Sequence, residues 1–95
     1  MSEQWTCMKG YLYILQSLKN RSYYIGSTKN VELRLKQHNA GAVKATRHKG
    51  PYKLVFQQEF VSIVFASRAE KRVKGWKRRD YIEKMIRSGK YYTRP

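Results

Sequence analysis

The sequence is short of cysteine, of acid and of long apolar runs, and each shortage removes a class of protein. Cys7 is the only cysteine, which excludes an intrachain disulfide and any zinc site built on cysteines. It lies in the opening stretch MSEQWTCMKG, which reads as the start of an N-terminal tail, and there it is incidental. No apolar run approaches the roughly eighteen residues that a bilayer span requires. A basic region followed by a hydrophobic one is also missing from the N-terminus, so no secretory signal is read and a cytoplasmic location is expected. Internal repeats, linkers and low-complexity tracts are absent from the 95 residues, a length that suits one domain. Only six acidic residues stand against 21 Lys and Arg, leaving a net charge of +15. Such a surplus repels itself in the folded state and attracts polyanions. Nucleic acid is therefore the expected partner. A membrane surface is not, because no long basic amphipathic helix with an aromatic face is present.

What is present is a set of tyrosine-rich strands and well-marked helices. GYLYILQ, residues Gly10 to Gln16, is β-branched and aromatic enough to read as a strand. SLKNRS then supplies Asn20 and Ser22 as turn residues, and YYIG reads as a second strand ending at Gly26, so that the two make a hairpin. STKNVELRLKQHNAG reads as a helix with Ser27 or Thr28 at its N-cap and Gly41 beyond its end. Val31, Leu35, Arg34 and His38 share an arc of that helix, with Arg34 and His38 at its edge, where a side chain can look into a cleft. AVKATRHKGP reads as a basic loop. In YKLVFQQEF, Tyr52, Leu54 and Phe56 alternate with polar neighbours for part of its length, which predicts a third strand. Ser62 is expected to cap the helix IVFASRAEKRVKGWKR, whose apolar arc is Phe65, Ala66, Ala69, Val73 and Trp76, with Glu70 just off it. Gly75 weakens that helix by about 1 kcal/mol relative to Ala. DYIEKMIRSGK spaces Tyr81, Ile82, Met85 and Ile86 as a short amphipathic helix ending before Gly89. The expected organisation is a tail over 1–9, one domain over 10–88 and a tail over 89–95. Its fold class is α+β, a three-stranded antiparallel sheet flanked by helices in the order β-β-α-β-α-α.

Four of these stretches, YLYIL, YYIGST, VELRLKQHNAG and SRAEKRVKGWKRRD, occur in an order that resembles the GIY-YIG nuclease family. More narrowly, the chain is similar to the small single-domain bacterial members related to the nuclease module of the DNA excision-repair subunit that makes the incision. That similarity implies a DNA repair setting. The resemblance runs from Gly10 to Ile86. A lone YIG tripeptide would be weak, whereas four motifs in order are specific. By that resemblance Tyr13 stands at the GIY tyrosine, although Tyr11-Leu12 replaces Gly-Ile, and Tyr24 stands at the YIG tyrosine. Arg34 matches the helix arginine, His38 a position held by His or Tyr in relatives, and Glu70 the glutamate that binds a single divalent metal, Mg²⁺ or Mn²⁺. Many members carry an asparagine beyond the metal glutamate; here the region reads Tyr81-Ile82-Glu83.

The implied chemistry is coherent. Phosphodiester hydrolysis needs an activated water, neutralisation of charge on the transition state and help for the leaving oxygen. A tyrosine with its ordinary pKa near 10 is a poor base at neutral pH, so nearby Arg, Lys and metal charge are expected to favour its phenolate. Tyr13 is read as the base, with Tyr24 sharing or supporting the role. His38 either accepts the Tyr13 proton or holds the phenol in place. Arg34 offers the scissile phosphate a planar fork. Glu70 would hold Mg²⁺ through one carboxylate and waters. Singly, each residue also has an ordinary structural role: the tyrosines as cross-strand partners, His38 as a helix-terminal cation, and Glu70 with Lys74 as an i,i+4 pair. Lys44, Arg47 and Lys49 in the loop, with Lys74, Lys77 and Arg78 along the later helix, are candidates for tracking a phosphate backbone. DNA, branched or nicked, is expected ahead of RNA. The small size suggests that selectivity comes from a protein partner, a dimer or DNA shape. The alternative reading is a basic nucleic-acid-binding module of the same fold that cleaves slowly or not at all.

Overall fold

The computed structural model describes residues 9–91. Cys7, most of the expected N-terminal tail and the end of the C-terminal one lie outside the described residues. The elements are β1 (Gly10–Ser17), β2 (Tyr23–Thr28), α1 (Val31–Asn39), a 3₁₀ turn (Lys44–Thr46), β3 (Tyr52–Phe60), α2 (Ile63–Trp76) and α3 (Arg79–Ser88). The sheet is antiparallel throughout, in the order β2-β1-β3, so the expected α+β architecture and element order are found.

The central position of β1 explains its near-continuous apolar run. A strand covered on both sides needs hydrophobic residues at odd and even positions alike. Leu12 and Ile14 point to one face, where they pack with Ile25, Phe56, Ala69, Val73 and Met85 beneath α2 and α3. Tyr13 and Leu15 point to the other, where they meet Val31, Leu35 and Tyr52 beside α1. Gly10 lets α2 come close: a Cβ there would lie 2.4 Å from the Ile63 Cα.

Three details depart from the sequence expectations. The N-cap of α1 is Asn30, whose side chain accepts from the Leu33 amide, and not Ser27 or Thr28. Those two residues continue β2 past Gly26 because they pair with Leu12 and Tyr11 of β1. In β3, Tyr52 and Leu54 face α1 but Phe56 faces α2 and α3. A bulge between the Ile14–Phe56 and Leu15–Leu54 pairs inserts Val55 and reverses the alternation, which places adjacent Val55 and Phe56 against the same core. On α2, Phe65 is 48% exposed; Ala66, Ala69 and Val73 centre the buried stripe and leave the Phe65 position on its outer margin.

Other expectations hold. Ser62 caps α2 by accepting from the Phe65 amide. Helix α3 buries Met85, rests Ile82 and Ile86 on the core, and ends at Gly89, whose φ of 73° suits a residue without a Cβ. Trp76 packs against the same core, as does Tyr91, whose ring meets Phe60 edge-on. The hairpin turn is organised by Ser17, whose hydroxyl accepts from the amides of Lys19 and Asn20, and by Asn20, whose side chain accepts from the Ser22 amide. No helix among the described residues is long and apolar enough to cross a membrane.

Candidate active site

Strand pairing places Tyr13 directly opposite Gly26. A Cβ at Gly26 would lie 2.5 Å from the Tyr13 phenol oxygen, so the glycine of the YIG sequence is required by the ring that lies over it. Tyr24, two residues earlier on β2, shares this face, and its ring centroid is 6.4 Å from that of Tyr13. His38, in the last turn of α1, approaches both: its Nε2 is 2.9 Å from the Tyr13 oxygen, and its ring meets Tyr24 edge-on at 4.8 Å. Arg34, one turn earlier, lies close enough for its charge to act on the Tyr13 phenol and is steadied by donating to Gln37 Oε1 at 3.0 Å.

Glu70 reaches the site from α2 around the β2 edge. The Ser27 hydroxyl donates to its Oε1 at 2.6 Å, and the Lys74 ammonium pairs with its Oε2. The Lys74 nitrogen also lies 5.9 Å from the centroid of the Tyr24 ring. Tyr13, Tyr24, Arg34, His38 and Glu70, drawn from four elements, thus converge on one corner of the sheet.

Burial sets the protonation states. The Tyr13 residue is 1% exposed, and its phenol pKa is raised, first by burial and then by the neighbouring Tyr24 and the Glu70 carboxylate. The nearby Arg34 guanidinium pulls it down without cancelling the rise. The expectation that surrounding cations would favour the phenolate is therefore not met by the protein's own charges. His38, 2% exposed, is lowered to about 4, chiefly by burial and then by the Arg34 charge, so it is neutral at pH 7 and not a helix-terminal cation.

The Glu70 side chain, 20% exposed, suits a single hard cation. No group of three or more His, Cys, Asp or Glu gathers as a metal cage among the described residues. One carboxylate completed by water is the manner in which Mg²⁺ is commonly held beside phosphates. The donor set fits such an ion, with Lys74 competing for the same oxygen.

The remaining basic candidates divide. Lys44, Arg47 and Lys49 are exposed on the loop after α1, with the Arg47 side chain donating to the Gly41 carbonyl. Lys77 and Arg78 sit at the α2–α3 junction, where Arg78 grips Asp80 with two hydrogen bonds and covers the Tyr81 ring. Three site residues escaped the sequence reading: Ser27, taken for a cap; Gln37, beside Arg34; and Thr46, buried in the basic loop, with its hydroxyl 2.7 Å from His38 Nδ1. A polar residue among cations gives no sequence signal of this kind. An apolar cavity of about 440 Å³ between Phe60, Phe65, Arg68 and Tyr91 lies on the other flank of α2 and takes no part in this site.

A three-stranded antiparallel sheet carrying two facing tyrosines, a helix arginine and histidine, and a glutamate across the strand edge defines a GIY-YIG-type domain. Residues 9–86 match the GIY-YIG catalytic domain, and the chain belongs to that family of nucleases. It is similar to a UPF0213 protein of Staphylococcus haemolyticus, 42% identical over 79 residues that cover 82% of this chain and 94% of the relative. A UPF0213 protein of Clostridium perfringens is 40% identical over 81 residues, covering 84% and 76%. The solution structure of the UPF0213 protein BH0048 from Bacillus halodurans superposes with a TM-score of 0.54 at 38% identity, covering 86% of this chain and 87% of that one.

Proposed function

We propose that the protein is a divalent-metal-dependent endonuclease that hydrolyses phosphodiester bonds in DNA. The observation that carries this reading is the Tyr13–His38 hydrogen bond, beside Arg34 and within the electrostatic reach of Glu70. In the free protein the Arg34 side chain donates to Gln37 and acts on the Tyr13 phenol through its charge. A phosphate bound in the cleft would draw the guanidinium fork onto itself, because a charge-assisted pair outcompetes a neutral acceptor. With Arg34 on the phosphate, Tyr13 can receive the proton of an attacking water while it passes its own phenol proton to His38 Nε2, 2.9 Å away, which leaves a neutral phenol and an imidazolium. His38 holds the phenol rather than deprotonating it in the resting state. With the imidazole lowered to about 4 and the phenol raised, the proton rests on Tyr13 until the water is attacked. Glu70 would hold Mg²⁺ or Mn²⁺, which supplies the positive charge that offsets the carboxylate's upward push on Tyr13 and neutralises the phosphate. Tyr24 packs against His38 and supports its orientation.

The exposed Lys44, Arg47 and Lys49 extend the contact along the DNA backbone. No set of side chains for base readout stands out among the described residues, which favours recognition of shape, as at a branch or nick, or delivery by a partner. One observation favours the second reading, a binding module with little catalysis: the Lys74 ammonium already sits on the metal carboxylate. Cleavage of supercoiled plasmid and branched DNA with Mg²⁺, Mn²⁺ or EDTA separates the two. Cutting that requires metal and vanishes in Glu70→Ala supports the endonuclease. Salt-sensitive binding without cutting supports the module. Equal cutting by both proteins would identify a contaminant.

A further inference from the structure

Within the loop 42–51, Thr46 is 1% exposed while its neighbours Lys44, Arg47 and Lys49 are open to solvent. Its hydroxyl lies 2.7 Å from His38 Nδ1 and 3.4 Å from the Val43 carbonyl, and His38 Nε2 lies 2.9 Å from the Tyr13 oxygen. Proton bookkeeping assigns a direction to this chain. A neutral imidazole carries one N–H and one lone pair, and the partner of one nitrogen decides the state of the other. With the proton on Nδ1, every donor has an acceptor: Nδ1–H to Thr46, Thr46 O–H to Val43, and Tyr13 O–H to Nε2. With the proton on Nε2, the Tyr13 proton has no acceptor among the described residues.

We propose that Thr46 is a positioning residue that fixes the Nδ1–H tautomer of His38 and through it orients the phenol proton of Tyr13, keeping Nε2 open to take that proton as the phenol accepts the one from the attacking water. The inference rests on the reading of Tyr13 as the base. It also gives the basic loop a second task. The segment that carries the phosphate-tracking cations is joined to the reacting phenol by two buried hydrogen bonds, so a loop displaced from the phosphate backbone also loosens the base.

Long-range ¹H–¹⁵N correlation spectra of the full chain, at neutral pH and without metal, read the His38 tautomer directly. Wild type and Thr46→Ser are expected to show Nδ1–H. Thr46→Val, equal in shape but unable to accept the proton, is expected to shift toward Nε2–H. Steady-state cleavage should show kcat lowered about 10- to 100-fold in Thr46→Val, the usual cost of losing a residue that orients a functional histidine, with KM for DNA little changed and Thr46→Ser restoring most of the rate. An Nε2–H wild type, or a tautomer unmoved by Thr46→Val, overturns the assignment. A shifted tautomer with unchanged kcat overturns its catalytic role. If no variant cleaves, wild type included, while the tautomer responds as stated, the endonuclease reading fails and takes that catalytic role with it.

Discussion

Gly26→Ala is the smallest change that tests the geometry of the site. The added Cβ would lie 2.5 Å from the Tyr13 Oη, 2.6 Å from its Cζ and 3.0 Å from its Cε2. The contact is with a ring rather than the loose end of a flexible chain, and the ring is pinned by His38. Gly26 is not among the residues with positive φ, so the requirement is for space and not for an unusual backbone. To accept the methyl, Tyr13 must move by roughly an ångström, and overpacking of this kind costs about 1–3 kcal/mol. Breaking the 2.9 Å bond to His38 strands buried polar atoms and adds roughly 1 kcal/mol or more. A total of about 2–4 kcal/mol corresponds to a fall in Tm of roughly 10–20 °C for a domain of this size. Misplacing a reacting group by an ångström also costs about a hundredfold in rate. Gly75→Ala is the matched control: nothing lies within 4 Å of its Cβ, and its helical position favours Ala by up to about 1 kcal/mol, so its Tm should rise by a few degrees. Thermal melts and plasmid cleavage on both variants decide the matter. A Gly26→Ala protein that melts within about 2 °C of wild type and cuts at the same rate would refute the placement of Tyr13 over the strand.

Two further outcomes follow from the charged groups. Because the folded-state pKa of His38 is lowered to about 4 from 6.5, the unfolded chain binds the proton more readily; stability from this group is present above about pH 6.5 and declines as pH falls toward 4. The loss is roughly 2–3 kcal/mol, read as a drop in urea midpoint between pH 7 and pH 4 that is smaller in His38→Gln. If Lys74 competes with the metal for Glu70, Lys74→Ala should bind Mn²⁺ about three- to tenfold more tightly by calorimetry, matching the modest worth of a part-exposed ion pair. Lys71→Ala, equal in charge change but next to Glu70 in sequence, where helical neighbours do not face each other, should not; tighter binding in both would reduce the effect to general electrostatics.

The parts of the fold visible in the sequence were those specified locally. Ser62 before an apolar arc, Gly89 after one, and the aromatic run of β1 announce their elements without help from distant residues. The Asn30 cap was hidden because Ser27 and Thr28 are equally good caps, and only pairing with β1 commits them to the strand. The β3 bulge was hidden for a related reason: Val55 is as good a strand residue as its neighbours, so nothing in YKLVFQQEF marks where alternation reverses. In the candidate site, the five residues that the fold brings together came from motif order, but the burial of two of them did not. Burial of Tyr13 and His38 is a property of the assembled layers; it overrides the pull of Arg34 on Tyr13 and adds to the effect of Arg34 on His38.

The two-faced packing of β1 has a consequence for how the protein moves. Leu12 and Ile14 belong to the core under α2 and α3, while Tyr13, between them on the same backbone, carries the phenol of the site. The middle strand of a sheet covered on both sides belongs to the segments that open only with global unfolding. The Tyr13 oxygen is therefore mounted on one of the most slowly fluctuating segments among the described residues, whereas Glu70 approaches over an outer strand and the loop cations stand in solvent. If the protein is the proposed endonuclease, adaptation to differently shaped substrates falls to that periphery, around a fixed reference point. A core substitution that shifts β1 would then register as a catalytic defect before it registered as a loss of fold.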